Sequence, residues 1–137
     1  MNGKFQAMKA VEGMTYLGGS TNDASALQFT GDQALSLYKG GRGNVPRIAV
    51  MITDGGSANP NAAVAAADKL RQQNVGILAV GVGNQVNQGE IANIVDSPSA
   101  QHAFHVNSYD NLDSITNQLV AQMCTGTPPD HWIRRLD

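Results

Sequence analysis

A single cysteine, Cys124, stands in the 137 residues, so no disulfide can form within the chain. Basic charge is scarce as well. Nine Lys and Arg against eleven Asp and Glu leave a net charge of -2, and the one basic pair, Arg134-Arg135, lies in the tail. Nucleic-acid-binding domains usually carry a basic stripe, and none is present. No apolar stretch approaches the roughly 20 residues that a membrane helix needs. The first residues, Met1-Asn2-Gly3-Lys4-Phe5, lack the apolar core of a signal peptide, which taken literally keeps the chain in the cytosol. Against these absences, 42% of the residues are hydrophobic and 15% charged. That balance belongs to a folded globular chain, and the length to one domain with a real core.

The stretch around which the rest is arranged is Pro46-Arg47-Ile48-Ala49-Val50-Met51-Ile52-Thr53-Asp54-Gly55-Gly56-Ser57. Its apolar run ends abruptly at Thr53-Asp54-Gly55-Gly56. Such a run, bounded by turn residues, predicts a strand buried on both faces of a parallel sheet. Asp54 then falls at the carboxyl end of a strand, where ligand chemistry collects in open α/β sheets.

The elements before this strand are helical. Phe5, Met8 and Val11 are spaced to face a core from a helix over about 3–14. Tyr16 to Asp23 reads as a loop, with Ser20, Thr21 or Asn22 able to cap the next helix, and Thr21 favoured as a plain cap. That helix is expected over 24–38, although Gly31 inside it costs roughly 1 kcal/mol against alanine. No strand-forming sequence precedes Arg47. After the first strand, Asn59-Pro60 opens an Ala-rich helix to Gln73. Val75 to Gly83 is a second buried strand. A short helix over 88–95 turns Ile91, Ile94 and Val95 inward, and Ala103-Phe104-His105-Val106 is a third strand. A last helix over 108–123 has Leu112, Ile115, Leu119 and Val120 as its apolar face, with Asp110 in its first turn, where it suits the helix dipole. Strands alternating with helices predict an α/β fold of three parallel strands with right-handed crossovers.

Two further patterns fall short of a site. Gly81-Val82-Gly83 lacks the third glycine and the later acidic residue of a dinucleotide loop. His102 and His105 are three apart in or near a strand, so they point to opposite faces and are expected to be surface and edge histidines rather than joint metal ligands. No nucleophile, base and orienter can be assembled, so no enzyme is expected.

The ordered set Tyr16-Leu17-Gly18-Gly19-Ser20-Thr21-Asn22, Val45 to Ser57, Ala66 to Leu70, Val75 to Asn84 and Phe104-His105-Val106 resembles the von Willebrand factor type A family, over roughly residues 4–126. Its flavour is that of the extracellular-matrix members, such as the A domains of matrilins and collagens. The resemblance implies a partial Rossmann-like fold, an extracellular location and an adhesion or protein-binding role, with collagen or another matrix protein as partner. It also implies a metal-ion-dependent adhesion site, usually holding Mg²⁺, whose metal a carboxylate of the partner completes. Thr21 matches the threonine of the family's second metal loop, and Asp54 the aspartate of Thr-Asp-Gly in the third.

The chain departs from the family in having no Asp-x-Ser-x-Ser sequence, which carries the first metal loop. Thr21 and Asp54 alone are too few ligands for a firm Mg²⁺ site. The resemblance begins at the family's third helix, so the chain is expected to be the C-terminal part of such a domain (1–126) with a tail or linker over 127–137. It would come from a truncated gene model, an isolated exon product or a fragment. Two corollaries follow from the resemblance. Cys124 loses the partner that matrix A domains often supply ahead of the first strand. The strand over 47–53 loses its neighbour and presents an open apolar edge, which makes a metal-free assembly module the alternative function.

Overall fold

A computed structural model of the chain describes residues 3–124. The tail with Pro128-Pro129, Trp132 and Arg134-Arg135 lies outside the described residues. Three parallel strands form the sheet: β1 (Arg47–Thr53), β2 (Val75–Val82) and β3 (Ala103–Val106), in spatial order β1-β2-β3. The register places Met51 beside Ala79 and Ala79 beside Ala103. The helices are α1 (Gly3–Glu12), α2 (Asp23–Phe29), α3 (Pro60–Gln72), α4 (Gln88–Ile94), α5 (Ser99–His102) and α6 (Thr116–Cys124). The predicted α/β class, the three strands and their parallel order are all present.

Helices cover both faces of the sheet, and side-chain alternation sorts the residues between them. On one face Ala49 and Met51 pack with Val75 and Ile77 against Leu27 of α2, Ala63, Ala67 and Leu70 of α3, and Ile94 of α4. On the other, Val50, Val80, Val82 and Val106 meet Leu112, Ile115 and Leu119. Caps start the helices at defined points. Asn22, Asn59 and Asn87 each accept the backbone N–H three residues on, at 3.0, 3.1 and 3.1 Å. Asn22 therefore takes the cap that was expected of Thr21.

One buried polar group locks the middle of the fold. Asp96, 1% exposed, accepts the Ile77 N–H through Oδ2 at 3.0 Å, and its own N–H donates to the Ile77 carbonyl at 3.1 Å. The Arg71 guanidinium stands 3.5 Å from Asp96 Oδ1 and donates to the Ile94 carbonyl at 2.7 Å. A buried carboxylate is tolerated when paired and hydrogen-bonded in this way.

Five expectations need correction. First, β1 is not buried on both faces: Thr53 is its only buried residue and Ile52 is 53% exposed. It is an edge strand, with β2 on one side and, among the described residues, no strand on the other. Second, α1 forms, but Phe5, Met8 and Val11 are 62%, 52% and 63% exposed and face no core. Third, the helix expected over 24–38 stops at Phe29, gives way to a π-helical turn over Thr30–Ala34, and resumes as a 3₁₀ turn at Leu37–Lys39. Gly31 lies where a Cβ would come within 2.9 Å of Leu70 Cδ2, so the backbone of the π-helical turn packs closely on the Leu70 side chain of α3 at that point. Fourth, His102 is 2% exposed. It ends α5 instead of joining a strand, and the ring is turned inward, Nδ1 lying 3.0 Å from the Pro98 carbonyl and Nε2 3.3 Å from Gln122 Nε2. Fifth, the last predicted helix begins differently, as a 3₁₀ helix over Tyr109–Ile115 that passes into α6.

Candidate functional site

The carboxyl ends of the three strands lie on one side of the fold, and the predicted donors sit there on two loops. Asp54 follows β1 directly and is exposed. The Thr53 hydroxyl, buried just before it, donates to the Gly55 carbonyl at 3.3 Å, which curls the chain over the strand end. Thr21 is exposed, one residue before the Asn22 cap of α2. Its loop bends through Gly18 and Gly19, whose φ values of 66° and 102° suit glycine alone.

No hydrogen bond joins Thr21 to Asp54 among the described residues. The two loops are tied instead by neighbours of the donors. Ser57, three residues after Asp54, donates its hydroxyl to Asp23 Oδ2, two residues after Thr21. The backbone N–H of Ser57 donates to Glu90 Oε1 in α4 at 2.9 Å. Asp23 is 8% exposed and is the first residue of α2, where its charge also meets the positive end of the helix dipole. Sequence reasoning missed Asp23, Ser57 and Glu90, because 34 and 33 residues separate Ser57 from its two partners. The available signal was the polar residue directly after Thr53-Asp54-Gly55-Gly56.

Tyr109, three residues past β3, reaches the same rim. Partial loss of water around its ring raises the phenol's pKa. The Asp54 carboxylate raises it further, by its charge and by accepting the Tyr109 hydroxyl, and Tyr16 adds a smaller push in the same direction. Tyr109, 53% exposed, thus puts aromatic surface near the Asp54 carboxylate, with the 93% exposed Tyr16 on the side of Tyr109. His105, at the end of β3, bonds the Gly83 carbonyl through Nε2 at 2.8 Å. It also lines a cavity of about 250 Å³ with Gly81, Val86, Ile91 and Phe104. His102 and His105 have separate partners and do not meet at one ion.

The donor chemistry decides what the rim can hold. Thr21 and Asp54 are hard oxygen donors, the type that Mg²⁺ takes, and Mg²⁺ is commonly held by one or two protein carboxylates while water and ligand oxygens fill the remaining positions. Among the described residues no group of three or more His, Cys, Asp and Glu could hold a metal ion. The set therefore fits a divalent cation in kind and falls short in number, so that such an ion would depend on water and an outside carboxylate.

Comparison with known proteins identifies the family. Residues 1–118 match the family model of the von Willebrand factor type A domain. Matrilin-1 of Gallus gallus is 31% identical over 120 residues, 88% of this chain and 24% of the matrilin. The collagen alpha-1(XII) chain of Oryctolagus cuniculus is 32% identical over 117 residues, 85% of this chain and 18% of the collagen. The chain thus spans a quarter or less of the length of these matrix proteins. Among solved structures, proximal thread matrix protein 1 from the mussel byssus, with a zinc-occupied MIDAS motif, superposes with a TM-score of 0.82 at 23% identity, over 88% of this chain and 31% of that one. At that identity the likeness speaks for the fold.

Proposed function

Because the chain belongs to the von Willebrand factor type A domain family, we propose that it is a protein-binding module of extracellular-matrix type, working outside the cell by binding rather than by catalysis. Its partner is a matrix protein such as a collagen. Thr21 and Asp54 supply two oxygens to a divalent ion, and water and a carboxylate of the partner supply the others. The observation that carries this reading is the exposed Asp54 at the carboxyl end of β1, with the exposed Thr21 on the loop that Asp23 and Ser57 tie to it. The byssus neighbour, whose MIDAS motif holds zinc, supports a divalent ion in general, and the oxygen-only donors favour Mg²⁺.

The test is solid-phase binding of the whole chain to fibrillar collagen in Mg²⁺ and then in EDTA. Binding that falls at least roughly tenfold in EDTA, and equally on Asp54→Ala, supports the reading. Binding indifferent to both, or absent throughout, removes it.

A second reading rests on a different observation. The outer edge of β1 has no strand partner among the described residues, and Ile52 is half exposed beside it. A metal-free assembly module would pair through that edge with another chain. Light scattering on the chain with and without EDTA separates the two: ion-independent self-association, with no collagen binding, favours the second.

A further inference from the structure

We infer that Ser57 is a positioning residue for the Asp54 rim, a clasp that holds the Asp54 loop against the starts of two helices at once. The inference rests on the reading of Thr21 and Asp54 as ion donors and adds to it a residue that touches neither the ion nor the partner.

The geometry is specific. The loop after β1 runs from Asp54 through two glycines, Gly55 and Gly56, which by themselves would leave it many conformations. Ser57 ends that freedom with two bonds in different directions. Its hydroxyl reaches Asp23 at the first turn of α2, and its backbone N–H reaches Glu90 in the first turn of α4. Both acceptors are carboxylates, so both bonds are charge-assisted and stronger than neutral ones. Both acceptors are also anchored. Asp23 is buried, and α2 is capped by Asn22, whose Oδ1 accepts the Ser25 N–H at 3.0 Å. Glu90 sits where the Asn87 side chain accepts its N–H at 3.1 Å.

The clasp spans the two donor loops. Thr21 is two residues from Asp23, and Asp54 is three residues from Ser57. A weakly ligated ion needs its few protein donors held in place, because any freedom they keep in the free state must be lost on binding. Loss of the Ser57 hydroxyl removes only the link to Asp23, since the backbone bond to Glu90 survives any substitution other than proline. The expected result is a loosened Thr21–Asp54 relation in an otherwise intact fold.

The experiment is titration of the whole chain with Mn²⁺, reading free ion by electron paramagnetic resonance, on wild type, Asp54→Asn, Ser57→Ala, Ser57→Thr and Asp23→Ala. Thermal melts and amide exchange over 18–25 and 54–57 run beside it. Ser57→Ala should weaken Mn²⁺ affinity roughly tenfold, the size usual for groups that orient metal ligands. Its unfolding should stay cooperative with the midpoint lowered by a few degrees, because the buried Asp23 carboxylate loses a donor, while exchange quickens in both segments. Ser57→Thr, which keeps the hydroxyl, should restore affinity. The double variant Asp23→Ala with Ser57→Ala should be no weaker than Asp23→Ala alone, because the two side chains serve one bond. Wild-type affinity in Ser57→Ala overturns the clasp. So does a loss that Ser57→Thr fails to restore. If wild type and Asp54→Asn bind Mn²⁺ equally, or neither binds it, the ion-donor reading itself falls, and the clasp's role in binding falls with it.

Discussion

β1 and β2 are close in composition and far apart in environment. Arg47-Ile48-Ala49-Val50-Met51-Ile52-Thr53 and Val75-Gly76-Ile77-Leu78-Ala79-Val80-Gly81-Val82 are both nearly continuous apolar runs ended by turn residues. All eight residues of β2 are buried, but only Thr53 of β1 is. β2 has a strand on each side and helices on both faces; among the described residues β1 has one neighbour. The apolar run reports which residues a strand could bury, and the neighbours decide which it does bury.

That contrast is sharpest by truncation. Leu78 is fully buried in β2, and Leu78→Ala should cost about 2–5 kcal/mol of stability in urea unfolding. Ile52→Ala in β1 should cost less than about 1 kcal/mol, because half of its surface is already in water. Equal costs would mean that β1 is covered in solution as β2 is covered here.

The same opposition separates two aspartates that share Arg71. Asp96 is buried and holds the Ile77 N–H as well as facing the guanidinium. Asp68 meets Arg71 at 2.7 Å from an exposed position. Asp96→Ala leaves a buried N–H without its acceptor and should cost about 1–3 kcal/mol. Asp68→Ala removes a solvated pair and should cost at most about 1 kcal/mol. Thermal melts of the two variants decide the order, and a larger loss from Asp68→Ala would reverse this account of the region.

Much of the fold was legible because its signals are local. The period of Val64, Ala67 and Leu70, the proline at the start of α3, and the two long apolar runs each specify an element without reference to the rest of the chain. The failures are failures of context. Phe5, Met8 and Val11 have the spacing of a core-facing stripe, but spacing cannot say whether a core lies opposite. The spacing of His102 to His105 implies one strand and a surface position, whereas His102 ends a four-residue helix that turns the ring inward. At the rim, Asp54 was readable as the residue that ends a strand, and Thr21 through the family's ordered motifs. Asp23 and Glu90 could not be read, since each becomes part of the rim only through a bond to Ser57 across more than thirty residues.

The open edge gives a smaller test of the comparison. Ile52→Lys places a charge beside the outer side of β1, a device by which natural edge strands resist pairing. Stability should change by no more than about 0.5 kcal/mol, as for other surface substitutions. If β1 pairs with another chain, light scattering should show the association reduced. An unchanged particle size would remove the strand-pairing reading and leave the ion-dependent one.

The smallest expected effect belongs to α1, set against α3. Both are amphipathic, but α3 buries Ala63, Ala67 and Leu70, and α1 buries nothing. One side-chain contact of α1 among the described residues is local, with Lys9 Nζ 5.0 Å from the centre of the Phe5 ring. Helices shorter than about 12–15 residues are marginal in water unless tertiary packing supports them, so the ten residues of α1 should fray and its amides exchange well before those of α3. Met8→Ser should then alter stability by less than about 0.5 kcal/mol, while Leu70→Ser, which puts a hydroxyl into the core, should cost several times that. A loss above about 1 kcal/mol from Met8→Ser would show that Phe5, Met8 and Val11 find a cover in solution. Measuring that loss across a range of protein concentrations identifies the cover: a cost that grows with concentration assigns it to a second copy of the chain.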